Sequence, residues 1–437
     1  MQRVSNPRIA ITLVMLLTAL LAACGSAGGS TSAGKVNLTF WAYNDVSKQC
    51  DLFNSSHPNI QVTCIKKASS NNAFIPPLIT ALKAGNGPDV ALIEYMFIPT
   101  MLANNGLVDL TKYGANDVKS QFQTNAWGQV QYGSAVYGYP QDTGPEQMYY
   151  NASVFKKAGI TTAPTTWDQY YQDAKLIHAL GPDTFISAFD PATDGWLQAL
   201  FWQNGGIWFT IVDGKWKVNV NSAASKTVAA YWQKMVTEGL VDTNQADGDF
   251  SGGWGTALNT GKIATWIAPT WGASVVSGNA KDQAGNWAIA QMPQWTAGQN
   301  ASAFWGGSGI SVINDTKHPQ EAETFVRWYL TDQQSQKIGV ADISWFSSNI
   351  AANASFNSIP VPYYAGSGKA QAVTEGVSNV TIDSSWKFPP VLTDIDNAQN
   401  DGFAAAIANK TSFSDVLDAI QAKTVAALNA GSYPVAP

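Results

Sequence analysis

The first 44 residues contain no acidic side chain, and from Gly25 to Gly34 no side chain is larger than threonine. The second stretch cannot build a core. It reads as a flexible tether reaching about 17 Å. Only three histidines (His57, His178, His318) and three cysteines occur, spread along 437 residues without a clustered Cys/His spacing, which excludes a recognisable zinc site. There is no P-loop and no Gly-x-Ser-x-Gly elbow, and Gly306-Gly307-Ser308-Gly309 lacks the spacing that would expose a nucleophile. Carboxylate pairs for glycoside hydrolysis are set by distance in space, so Asp142 with Glu146, or Asp247 with Asp249, can be written as pairs. Acids at such spacings occur in any chain, so the sequence reads as that of a non-enzyme without cofactor or metal. A secreted glycan-active enzyme is the alternative from a different class.

What is present begins with a leader. Arg3 and Arg8 precede an apolar run from Ile9 to Ala23, followed by Leu21-Ala22-Ala23-Cys24. The run is about 15 residues where a spanning helix needs about 20, so residues 1–23 are expected to be a signal peptide. Leu-Ala-Ala-Cys resembles the lipobox of bacterial lipoproteins, which implies cleavage before Cys24 and lipid on its thiol. Residues 24–34 would then tether an extracytoplasmic protein to a membrane surface, leaving open whether the envelope has one membrane or two.

Loss of Arg3 and Arg8 with the leader takes the formal charge from −6 to −8, which argues against a nucleic-acid partner. A mature chain this long exceeds what one core usually supports, so two lobes are expected. Its 17 tryptophans are more than packing alone requires, and point to a cleft that uses aromatic faces. On a helix after Asp45, Val46, Cys50 and Phe53 share one face, and in a strand from Asn59 to Lys66, Ile60, Val62 and Cys64 alternate inward. Cys50 and Cys64 thus face one core. Outside the cytoplasm they are expected to form a disulfide contributing about 3 kcal/mol, with two buried free thiols as the other reading.

Val36 to Tyr43 reads as a first strand, Ile60 to Lys66 as a second, and Asp89 to Tyr95 as a buried third after a helix from Pro77 to Lys83 and the break Gly85-Asn86-Gly87-Pro88. Further helices are expected over Trp167–Leu180, over Ala224–Gly239, from Pro319, and after a cap at Ser412. Strands alternating with helices predict an open α/β sheet with ligands beyond the carboxyl ends of its strands. Trp41, Tyr43, Asn44, Glu94 and Tyr95 lie at such ends.

An ordered series of fragments resembles the family 1 extracellular solute-binding proteins of ABC importers, the maltose-binding-protein group. The series is ALKAGNGPDV from Ala81, YGYPQDTG from Tyr137, Tyr149-Tyr150-Asn151, FKKAGI from Phe155, PTTWD from Pro164, GKIA from Gly261 with Trp271, WGGSG from Trp305 and KHPQEA from Lys317. Each fragment is weak alone; their order carries the resemblance. It implies a two-lobed α/β fold of the periplasmic-binding-protein type II class, with three hinge crossings and a ligand cleft between the lobes. Residues 35–139 with 306–344 would form the first lobe, and 140–305 with 345–437 the second. The family's third crossing usually carries a proline and a basic residue. Ile343 to Ser348 has neither.

The resemblance implies a monomer that delivers a small solute, a mono- or oligosaccharide, to a membrane permease. Aromatic rings would cover the C–H face of a sugar, and carboxylates, amides and backbone groups its hydroxyl rim. Beyond the strand-end candidates, Asp142 lies at the first crossing, Trp196, Trp254 and Trp271 follow glycine or proline breaks, Trp305 with Gly306 and Gly307 lies at the return crossing, and Trp345 near the third. Core packing is the competing role for each tryptophan, and Trp167, Trp232, Trp287 and Trp328, within helical or strand patterns, read as core. A cationic amine caged by Trp and Tyr around Asp142 or Glu94 is a second ligand class.

Overall fold

The structure is a computed structural model that describes residues 34–68, 71–343, 346–356, 362–365 and 380–437. The leader, Cys24 and Trp345 lie outside them. Strand β1 (Val36–Ala42) leads through helix α1 (Ser47–Ser56) to β2 (Ile60–Lys66), then through helix α2 (Asn71–Lys83) to β3 (Val90–Glu94). β1 pairs in parallel with both β2 and β3. The five-stranded sheet is completed by Ser308–Val312, antiparallel to β3, and by Tyr139–Pro140 at the edge.

The two-residue alternation in β1 sends Leu38, Phe40 and Ala42 into the core. There Phe40 lies edge-on to Phe325 (5.5 Å) and Tyr329 (5.7 Å) of the helix Pro319–Thr331. A ring buried this way contributes about 1.5–3 kcal/mol. The same core takes Val46, Cys50 and Phe53 from α1 and Val62 from β2. Cys50 and Cys64 are joined as a disulfide, their Cα atoms 6.4 Å apart.

The second body centres on Glu146–Asn151, flanked antiparallel by Thr265–Pro269 and Trp287–Gln291. Around it pack helices Trp167–His178, Asp194–Gln203, Ala223–Thr237, Leu392–Asn409 and Phe413–Ala430. Thr166 caps the first of these by accepting from the Gln169 N–H at 3.2 Å, and Ser412 caps the last by accepting from the Ser414 N–H at 3.1 Å.

Three chain segments run side by side between the two sheets. Gln141 N–H donates to Ser308 C=O (2.8 Å), Ser348 N–H to Gln141 C=O (3.0 Å), and Glu146 N–H to Ala303 C=O (3.2 Å). Residues after the third segment stay with the first sheet: Phe122 bridges to Asn349, whose side-chain amide donates to Leu330 C=O at 3.2 Å. Tyr364, in contrast, packs on Tyr149 of the second body at 6.0 Å.

Candidate ligand-binding site

The return segment from Trp305 to Ser308 organises the site. Gly306 (φ +76°) and Gly307 (φ +93°) occupy the left-handed region, and a Cβ on Gly307 would stand 2.7 Å from the Tyr95 ring. Only glycine fits there. The tight turn lets Tyr95 N–H donate to Gly307 C=O at 3.0 Å and brings Ser308 against the first segment.

Around Ser308 a polar node assembles. Its N–H donates to Asp142 Oδ1 at 2.8 Å, its hydroxyl shares a 2.5 Å hydrogen bond with Tyr43, and Tyr95 donates from its hydroxyl to Asp142 C=O at 2.7 Å. Glu94 stands opposite Ser308 in the sheet register. Burial pushes the Asp142 carboxyl up to about 7, with the Ser308 N–H pulling the other way. Burial, then the charges of Glu94 and Asp142, hold the Tyr43 hydroxyl well above its ordinary range. The node thus sets hydroxyl donors beside carboxylate acceptors, a combination suited to a polar, hydroxyl-bearing solute.

Beside the node lies an aromatic cluster. Trp271 and Trp305, both half-buried, meet at 5.1 Å and 69°, and Trp271 Nε1 donates to Trp305 C=O at 3.4 Å. Trp266 stands edge-on beneath Trp305 at 5.8 Å and donates from Nε1 to Asp249 Oδ2 at 2.8 Å. Burial, then the charge of Asp190, takes the Asp249 carboxyl to about 7, against the pull of the Trp266 N–H. Phe250 is 55% exposed, sits at φ +64°, and lies 5.4–6.4 Å from Trp254, Trp266, Trp271 and Trp305. A bulky residue at positive φ is a genuine outlier, of the kind that clusters at ligand clamps.

Next to Trp305 is a small cavity of about 10 Å³, room for roughly one water. Met96 contributes one wall, Trp202, Trp386 and Phe388 another, and Trp305 and Gly306 lie between them. Trp202 and Trp386 are stacked at 4.8 Å and 10°.

The structure brings together Tyr43, Glu94, Tyr95, Asp142, Trp271, Trp305, Gly306 and Gly307. It buries two other candidates and places a third in a separate groove. Trp196 is 2% exposed and edge-on to Trp232 (5.3 Å) and Phe189 (5.8 Å), so it fills the second body's core. Trp254 is 1% exposed beneath Trp266 at 4.8 Å, a support with no free face. Trp41 lies on the α2 side of β1, in an open groove with Pro76, Pro77 and Thr80, its ring under Lys67 Nζ at 3.7 Å. The period-two geometry explains the last: Tyr43 shares the face of Trp41 along the strand, but the chain leaves β1 at Ala42 and Tyr43 turns to Ser308. Asn44 is half-buried in the loop that follows.

The two carboxylate pairs are split. Asp247 pairs with Lys262 at 2.7 Å while Asp249 holds Trp266. Asp142 faces Ser308, while Glu146 is 1% exposed and neither of its carboxyl oxygens has a hydrogen-bond partner among the described residues. Phe250, Trp266, Gly195, Trp202 and Trp386 were missed, and Asp249 was read only as one half of a carboxylate pair. For Phe250 a signal existed, an aromatic between Asp249 and Ser251-Gly252-Gly253 in turn-forming sequence.

Residues 39–336 match the family model described as bacterial extracellular solute-binding protein. The chain belongs to that family. Among similar proteins is the arabinooligosaccharide-binding protein of Bacillus subtilis (strain 168), 25% identical over 75% of this chain and 76% of its own length. Another is the lactose-binding protein of Rhizobium radiobacter, 26% identical over 71% and 73%. Of solved structures, the galacto-N-biose-/lacto-N-biose I-binding protein of the ABC transporter from Bifidobacterium longum, in complex with lacto-N-biose, is similar at a TM-score of 0.79 and 24% identity. It covers 92% of this chain and 100% of its own. The solute-binding protein is therefore an extracytoplasmic binder with the two-lobed α/β fold, and not an enzyme.

Proposed function

We propose that this solute-binding protein captures a carbohydrate between its lobes and delivers it to the permease of an ABC importer, held at the membrane by lipid on Cys24. The observation that carries the reading is the meeting of exposed aromatic edges, Trp271, Trp305 and Phe250, with the Asp142–Ser308–Tyr43 node on the segment that joins the two sheets. Rings cover C–H faces and the node takes hydroxyls. The sugar-binding relatives support the same ligand class. Ligand stabilises the closed form by the difference in its affinity for the two forms.

The lobe boundaries follow the three crossing segments, with one adjustment. We place residues 35–139 and 306–356 in the first lobe, because Asn349 and its neighbours pack on the first sheet's helices. The second lobe takes 140–305 and the described residues from 362 onward.

Calorimetric titration of a panel of mono- and oligosaccharides tests the ligand class. We expect binding to a member of the panel, no turnover of it, and loss of affinity in Trp271→Ala and Trp305→Ala. Silence across the panel together with tight polyamine binding would show that the aromatic site is an amine cage instead. For the anchor, Cys24→Ala should release the protein from membranes, and mass spectrometry of the native protein should find the thiol acylated.

A further inference from the structure

Lys387 carries an ammonium that the site described above does not use. It lies between Trp386 and Phe388, two of the rings that wall the small cavity. Its backbone N–H donates to Phe209 C=O at 2.9 Å, which fastens this segment to the hairpin of Phe209–Val212 and Lys215–Val218 in the second lobe.

The side chain runs the other way, into the first lobe. Its ammonium donates to Gly128 C=O and, at 3.4 Å, to Gln131 C=O, at the C-terminal end of the helix Thr124–Val130. It also lies 5.2 Å from the centre of the Tyr132 ring. Gln129 answers from the helix by donating to Trp386 C=O at 3.3 Å. The helix itself is built into the first lobe, with Trp127 edge-on to Tyr139 at 6.0 Å.

The last carbonyls of a helix lack intrahelical donors and carry the negative end of its dipole, so a cation is their natural partner. Here the cation comes from the opposite lobe. Burial pulls the Lys387 ammonium down to about 8, so its water shell is largely gone and the carbonyl oxygens and the ring stand in for it.

We propose that Lys387 is a positioning residue for capture: by docking on the helix end of the first lobe, it seats Trp386 and Phe388 against the cavity and holds the lobes in the ligand-enclosing arrangement. This rests on the reading of the chain as a binder that closes on its ligand. A link lost on opening and remade on closing favours the closed population, and a ligand for that population binds correspondingly tighter.

The test uses the full chain with spin labels on Lys83→Cys and Lys281→Cys, two exposed positions on different lobes. Interlobe distances are read by pulsed electron resonance, without sugar and with a sugar that calorimetry has shown to bind. We expect Lys387→Met to lengthen the sugar-free distance distribution and to raise Kd about tenfold, Tyr132→Leu to do the same about threefold, and Lys387→Arg to restore most of the affinity. A Lys387→Met protein that melts earlier yet keeps wild-type distances and Kd would make the residue a strut only, and would overturn the proposal. If Lys387→Met does not fold, the distances of Tyr132→Leu decide. If no sugar binds the wild type, the carbohydrate reading fails by itself, and the sugar-free distances still decide the role of Lys387.

Discussion

Replacing Gly195 by alanine should damage ligand binding without removing any group that touches the ligand. The residue is the second of the helix Asp194–Gln203, where alanine is the better helix former by at most about 0.5–1 kcal/mol. The added Cβ, however, would stand 2.1 Å from Cδ1 and 2.4 Å from Nε1 of Trp305, where ordinary contact begins at 3.4 Å. The indole must therefore retreat by more than an ångström. Trp271 at 5.1 Å and Trp266 at 5.8 Å stand in its way, so the whole cluster shifts. Overpacking of this kind costs about 1–3 kcal/mol, part of it recovered through helix propensity, so we expect a net loss of about 1–2 kcal/mol in urea unfolding. For binding, a misplaced stacking ring should cost about 0.5–1.5 kcal/mol, a rise in Kd of roughly 2- to 13-fold by calorimetry. Trp305→Ala serves as the reference. If Trp305→Ala abolishes binding while Gly195→Ala leaves Kd at the wild-type value, the ring's placement is not what this glycine secures, and the reasoning fails.

Other outcomes follow from the same geometry. Phe250→Gly should unfold at higher urea than Phe250→Ala by about 1–2 kcal/mol, because both lose the ring but only glycine relieves the positive φ; equal midpoints would deny the strain. Asp249, at about 7 in the folded protein against 3.8 unfolded, binds its proton more tightly when folded, so its contribution is greatest below about pH 4 and is lost as pH rises through 7. Asp249→Asn should flatten the fall in stability between pH 4 and 7 measured by urea titration, by up to about 4 kcal/mol, and an unchanged profile would assign that fall elsewhere. Opening the Cys50–Cys64 bridge, which spans a sequence separation of 14, by Cys50→Ser with Cys64→Ser should cost about 3 kcal/mol in the same assay, and a midpoint unmoved by the double variant would contradict it.

The parts of the fold legible in the sequence are those whose signal is local. β1, α1, β2 and β3 announced themselves by periods of two and 3.6, and Thr166 and Ser412 marked helix starts because a hydroxyl before an apolar stripe has little other use. Trp196 and Trp254 misled because a glycine beside a tryptophan suggests a loop. At Gly195 and Gly253 the glycine instead admits a close neighbour at the very start of a helix: a Cβ there would stand 2.1 Å from the Trp305 ring and 2.5 Å from the Ala246 carbonyl oxygen, respectively. Asp249 with Trp266, and Trp202 with Trp386, are pairs made by tertiary folding, and no period or spacing encodes them. The glycine pair at 306 and 307 was readable for the opposite reason: its role, close backbone approach, is one that the residue type itself declares.

In the cluster of four indoles, Trp266 stands 4.8–5.9 Å from Trp254, Trp271 and Trp305, and Trp271 5.1 Å from Trp305, at 67–85°. At such separations their electronic transitions no longer belong to single rings. Dipolar coupling falls with the cube of distance, so a ring displaced by a fraction of an ångström changes the near-ultraviolet dichroism of the group. Among the described residues, two members, Trp271 and Trp305, are only half-buried, so a solute held as proposed would meet half of this coupled chromophore directly. The protein thus carries its own spectroscopic gauge of occupancy, readable without a label.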